Sequence, residues 1–150
     1  MAQYKELEKI LFDYPKLKIE VRNLYIDLEE VKDIIGIYGE NGSPRAGSPT
    51  YKFNSIVESE VISREGSLKD KIECIKRLIR SKERRIQQIE NAVSMLNDES
   101  QKFIQLRYWD NIKMDHIAIQ YNLAKTALYK RKDKILKELN VFLPHIHCTL

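Results

Sequence analysis

Between Leu68 and Leu96, apolar residues recur at alternating steps of four and three: Leu68, Ile72, Ile75, Ile79, Ile86, Ile89, Val93 and Leu96, with Lys82 the one polar member of the series. That spacing puts them on one narrow stripe of a helix. A helix this long, apolar along one stripe, is not stable alone in water and needs a partner helix along the seam. Burying each Ile or Leu contributes roughly 1.5 to 3 kcal/mol before entropic costs. The chain is thereby directed to an all-α fold in which another helix covers this one. That partner is either an earlier segment folded back as an antiparallel hairpin or the same helix of a second subunit. Lys82 is read as snorkelling to water along the apolar edge, with a register-setting role as the alternative.

An earlier helix is present in the pattern. Leu7, Ile10, Tyr14, Leu17, Val21, Leu24, Leu28, Val31, Ile35 and Tyr38 keep the same alternation. Pro15 interrupts it, and a proline inside a helix removes an amide donor and clashes with the preceding turn. The sequence therefore predicts a short first helix ending near Asp13 or Tyr14 and a second opening at Pro15. Residues 39–54, rich in Gly, Ser and Pro, predict a loop, in which Arg45 reads as a solvated side chain. A short amphipathic helix is expected from Ser55 to Arg64, then a break at Gly66, with Ser67 capping the long seam helix. Residues 1–96 thus read as a helical hairpin or coiled-coil module for oligomerisation or partner docking.

Residues 97–150 follow a different plan, predicting three short helices. Asn97 is a good N-cap, with Asp98 and Glu99 where negative charge suits the helix dipole. Trp109, Asp110 and Asn111 have turn chemistry. A second helix fits Met114 to Tyr121. Asn122 falls where the chain reverses, and Asn tolerates the left-handed backbone such turns use. A third helix fits Lys125 to Leu139. This is the layout of a helix-turn-helix. Ala118 lets two helices approach, Asn122 turns the chain, Leu123 plugs the turn, and Ile117 and Leu128 anchor the helices. The third helix could then enter a major groove with its first two turns toward the bases.

The charge distribution agrees. Residues 101–140 carry nine basic and four acidic side chains, against six and eight in residues 1–37. The positive balance lies on the segment that would meet nucleic acid. Lys113, Arg131, Lys132 and Lys134 are the candidate phosphate contacts, and Lys125, Thr126, Tyr129 and Lys130 face bases or nearby backbone. Arg77, Arg80, Lys82, Arg84 and Arg85 read as a solvated helix face. No apolar run is long enough for a transmembrane helix, and the start of the chain lacks a secretory core. Cys74 and Cys148 lie far apart and do not suggest a disulfide framework, which fits a reducing cytoplasm. His145, His147 and Cys148 read as an apolar tail, not a zinc site, which wants four ligands. No nucleophile–base pair suggests an enzyme, and neither a metal nor a cofactor is expected.

The C-terminal residues also carry a family resemblance. Asp98-Glu99, Phe103, Leu106-Arg107-Tyr108, Ile117-Ala118 and Leu123 resemble region 4 of bacterial sigma-70 factors. Tyr129-Lys130-Arg131-Lys132 followed by Ile135-Leu136 is similar to phage late-gene transcriptional regulators of the RinA and ArpU type. Asn122 stands where glycine is usual there, and Ala124 where Ser or Thr commonly caps the recognition helix. The resemblance implies a phage or prophage regulator in a bacterial cytoplasm that binds double-stranded DNA at a promoter region. It also implies contact with host RNA polymerase. Together with the seam, the expectation is a homo-oligomer, a dimer in the first instance, with no membrane role. Two other readings are a small terminase-like packaging subunit and a helical interaction adaptor without DNA. The first usually has its DNA reader before its oligomerisation helices, the reverse of the order here.

Overall fold

The computed structural model describes the backbone of residues 4–36 and 54–143, with side chains at 4–36 and 66–143. It is all-α: α1 (Lys5–Ile35), α2 (Asn54–Ser94), α3 (Asp98–Ile104), α4 (Met114–Tyr121) and α5 (Lys125–Phe142), with no strand among the described residues. The expected loop, including Arg45, lies outside the described residues except for Asn54, which begins α2; the tail from Pro144, with its two histidines and Cys148, also lies outside.

The break expected at Pro15 is absent, because α1 runs through it without interruption. Proline costs a helix interior about 3 kcal/mol. Packing on both sides of it opposes that cost: Leu7, Leu11 and Tyr14 before it are buried, and Leu17 after it packs against the same core. Pro15→Ala restores the missing donor but loosens the unfolded chain by up to about 1 kcal/mol. It is therefore expected to stabilise the protein by up to about 2 kcal/mol, read by thermal melting. A destabilised variant would show that the ring itself is required.

The breaks expected at Gly66 and Ser67 are also corrected. Both residues lie inside α2, so Ser67 caps nothing and the segment from Ser55 to Arg64 is not a separate helix. Glycine weakens a helix by about 1 kcal/mol without ending it, and the seam beyond it gives α2 something to pack on.

Packing divides the chain into two compact units: Met1–Ile19 with Glu83–Leu150, and Glu20–Lys82. This division by packing differs from the change of sequence pattern at residue 96, because the first residues of α1 pack with the C-terminal helices. In the second unit, Val21, Leu28 and Val31 of α1 are buried, as are Ile75 and Ile79 of α2, while Leu68 and Ile72 are half-buried. Lys82 Nζ reaches Glu20 Oε2 at 2.6 Å. The seam is therefore covered within the chain in this unit, by α1, and its single lysine ends in an ion pair.

In the first unit, Ile89, Ala92, Val93 and Leu96 are buried with Leu7, Leu11 and Tyr14 of α1, and Ile86 packs partly against the same core. The Tyr14 hydroxyl donates to Glu90 Oε1 at 2.6 Å. Burial, and then that carboxylate, hold the phenol protonated far above its ordinary range. The first α1 residues thus share one core with Tyr108 and with α3, α4 and α5, whose Phe103, Ile104, Ile117, Leu128, Leu136 and Leu139 are all buried.

Candidate nucleic-acid interface

The C-terminal helices begin as the sequence predicts. Asn97 is extended, and its side chain accepts from the Ser100 amide at 2.8 Å. Past Ile104 the helix widens into one π turn, Gln105–Trp109, closed by the Asp110 amide on the Gln105 carbonyl at 2.8 Å. The neighbours Tyr108 and Trp109 both meet α1. Tyr108 sits edge-on to Phe12 at 4.8 Å, and Trp109 stacks on Tyr14 at 4.4 Å. Asn111 then takes a left-handed conformation (φ 57°), and the Arg107 guanidinium donates to the Ile112 carbonyl at 3.2 Å. Together they fix the entry to α4.

Between α4 and α5 the chain reverses in three residues. Asn122 is left-handed (φ 53°, ψ 44°). Its amide donates to the Ile119 carbonyl, and the Leu123 amide donates to the Ala118 carbonyl at 3.0 Å. These two bonds form a Schellman motif, which satisfies carbonyls the helix end would leave bare. Asn can hold this conformation where most residues would be strained. Met114, Ile117 and Ala118 bury one face of α4, and Leu123 is half-buried against the same core. α5 starts at Lys125 after Ala124, which offers no side-chain cap, and runs to Phe142, past the expected end at Leu139.

Burying Leu128, Ile135, Leu136 and Leu139 fixes which α5 residues face outward. Lys125, Thr126, Tyr129, Lys130 and Lys134 are exposed, as is Lys113 at the N-cap of α4. Lys113, Lys130 and Lys134 form no ion pair among the described residues. The other basic candidates are held. Lys125 Nζ meets Asp115 Oδ1 at 2.9 Å, both in solvent. Their hydrogen bond and mutual charge hold the Asp115 carboxyl below its usual range and the Lys125 ammonium above its own. The Arg131 guanidinium bonds Glu99 Oε2 of α3 at 2.6 Å and lies over the Tyr121 ring. Lys132 is paired with Glu8 of α1 at 3.2 Å, and its side chain is only 17 % exposed. Lys132 thus flanks the buried stripe and helps fasten α5 to α1.

Sequence reading missed these three acidic partners. Glu8, Glu99 and Asp115 lie far from their bases in sequence or across a turn, where no periodicity pairs them. It also passed over Asp133, exposed on α5 among the lysines. No group of His, Cys, Asp or Glu suited to a metal ion occurs among the described residues. No described helix is long and apolar enough to cross a membrane.

Residues 3–141 match the model of a family described as Protein of unknown function (DUF722). No curated protein and no solved structure matches the chain. Because the family match spans nearly all of its length, the chain belongs to the DUF722 family.

Proposed function

We propose that this chain is a sequence-specific DNA-binding regulator of transcription, with α4, the Asn122 turn and α5 acting as a helix-turn-helix. The observation that carries the reading is the pairing of that turn with the outward face of α5. The Schellman motif and the buried Ile117, Ala118 and Leu128 fix the second helix rigidly on the first. Its exposed face then offers Thr126, Tyr129, Lys130 and Lys134, with Lys113 beside it. Rigid presentation of such a face is what base reading in a major groove needs. Lysines free of carboxylates suit phosphate contact. The resemblance to sigma-70 region 4 and to the RinA and ArpU regulators supports a phage or prophage origin. It also supports a promoter target in a bacterial cytoplasm and contact with host RNA polymerase.

The test is selection of bound fragments from the source genome by the purified full chain, followed by titration of the enriched sites against scrambled DNA. Enrichment of promoter regions supports regulation. Enrichment of one packaging site would instead favour a terminase-like role. Binding that does not discriminate between sequences would defeat the proposal.

A further inference from the structure

The basic residues Arg77, Arg80, Lys82, Arg84 and Arg85, expected as one solvated face of α2, are not alike in the structure. Lys82 turns to Glu20 at 2.6 Å, and Arg85 is half-buried. Arg77, Arg80 and Arg84 are exposed on one uninterrupted helix and form no ion pair among the described residues. At about 100° per residue they fall within about 60° of the helix circumference, on the side opposite Ile75, Ile79 and Ile86. The exposed Ser81, Gln87 and Gln88 share that side. Asp70 and Glu73 end the stripe toward the start of α2, and Glu83 lies on its flank.

We infer that this arginine stripe of α2 holds the phosphate backbone of duplex DNA, in addition to the contact proposed for α5. The choice of DNA among polyanions rests on the DNA-binding reading above; the polyanion itself follows from the stripe. Residues 74–89 carry six basic side chains and one acidic, a net of +5, against +4 for the whole chain. A helix face that only meets water gains by interleaving acids and bases and loses by repeating one sign. Arg80 and Arg84, four residues apart, repeat it. A row of phosphates relieves that repulsion. The residue type agrees, because four of the nine arginines of the chain fall between 77 and 85. A guanidinium matches phosphate oxygens with two parallel hydrogen bonds, which a lysine cannot do.

The rest of the face discriminates among occupants. Between Arg77 and Gln88 its members are arginine, serine and glutamine, all of them donors to phosphate oxygens. No apolar side chain stands among them, whereas the centre of a protein interface is apolar. A helix lying in a lipid surface inserts its apolar side, and the apolar residues Ile75, Ile79 and Ile89 of α2 are buried within this chain. The spacing suits a strand of the duplex. Arg77 to Arg84 is about 10 Å along the helix, at 1.5 Å per residue. One strand presents a phosphate about every 3.4 Å along the duplex axis, about three over that length.

Salt titrations of the full chain on an enriched genomic duplex and on scrambled duplex test this. Replacing Arg77, Arg80 and Arg84 together with Gln is expected to lower the slope of log affinity against log salt by about 2.7 on both duplexes. Affinity near 0.15 M should fall about a hundredfold on both, leaving their ratio and the melting curve unchanged. Replacing the same three with Lys should keep most of the slope. Replacing the exposed Lys5, Lys9 and Lys32 of α1 with Gln removes equal charge elsewhere and should keep all of it. A parent that binds both duplexes equally, with the slope still lost in the Gln variant, would defeat the α5 reading and support the stripe. A parent that discriminates, with a Gln variant of unchanged slope, overturns the stripe alone. Equal loss in the α1 variant overturns it as well, as does a parent that binds no duplex. Binding to phosphatidylserine vesicles that the Gln variant loses, with duplex binding intact, would assign the face to a membrane and overturn the inference too.

Discussion

Replacing Lys113, Lys130 and Lys134 together with alanine is expected to lower DNA affinity about a hundredfold at physiological salt while leaving the melting curve in place. The three lysines are exposed and form no ion pair among the described residues, so their ammonium groups contribute little to folding. On DNA each would neutralise a phosphate and release counterions. That contribution is about 0.9 in the slope of log affinity against log salt, and about fivefold in affinity per contact near 0.15 M. Three contacts lower the slope by about 2.7. Arg131 and Lys132 should behave differently. Their guanidinium and ammonium are held by Glu99 and Glu8, and the Lys132 side chain is largely buried. Lys132→Ala leaves Glu8 without its partner and should therefore cost stability as well as affinity. A salt titration by fluorescence anisotropy, run beside thermal melts of each variant, separates the two classes. If the triple variant binds with the parent's affinity and slope, α5 is not the reading helix.

The second large effect is expected in the core. Leu11 is fully buried, and it belongs to α1 while most of the core it joins comes from the C-terminal helices and the end of α2. Leu11→Ala should cost about 2 to 5 kcal/mol, the lost transfer energy plus the cavity left behind. The single tryptophan, Trp109, stacks on Tyr14 one turn further along α1. Its fluorescence therefore reports this core. The expected result is a clearly lowered melting midpoint by tryptophan fluorescence. An unchanged midpoint would mean that the C-terminal helices hold together without α1, and that the division at residue 96 describes the folding units better than the packing does.

Much of this architecture could be read before any coordinates. The seam helix, the Asn97 cap, the extent of α4 and the left-handed Asn122 all follow from local rules, in which each residue's behaviour depends on neighbours within a turn. Pro15 and Gly66 were misread because local preference argued for breaks and tertiary packing overrode it. Leu7, Leu11 and Leu17 hold α1 together across Pro15 more strongly than proline opens it. The π turn had no signature in spacing; in it Tyr108 and Trp109 meet the α1 aromatics Phe12 and Tyr14. The candidate site was half legible. Which α5 residues point outward follows from Leu128, Ile135 and Leu139. Which lysines are held by carboxylates depends on how α1, α3 and α4 lie beside α5, and no spacing encodes that.

The sharing of one core by α1 and the C-terminal helices also bears on synthesis. The ribosome releases Leu7, Leu11 and Tyr14 long before Leu128, Leu136 and Leu139 exist. Those early apolar side chains meet the end of α2 first, but part of their core lies more than a hundred residues downstream. The hairpin between Glu20 and Lys82 can form meanwhile from contacts nearer in sequence, whereas closing the larger core joins segments far apart along the chain, the slower kind of event. A nascent chain halted before α5 would leave this core incomplete and part of its apolar surface exposed, the kind of surface that attracts chaperones or aggregates. Any DNA reading by α5 would thus become possible only once α5 has packed with α1, because the helix that would read is also the one that completes the core.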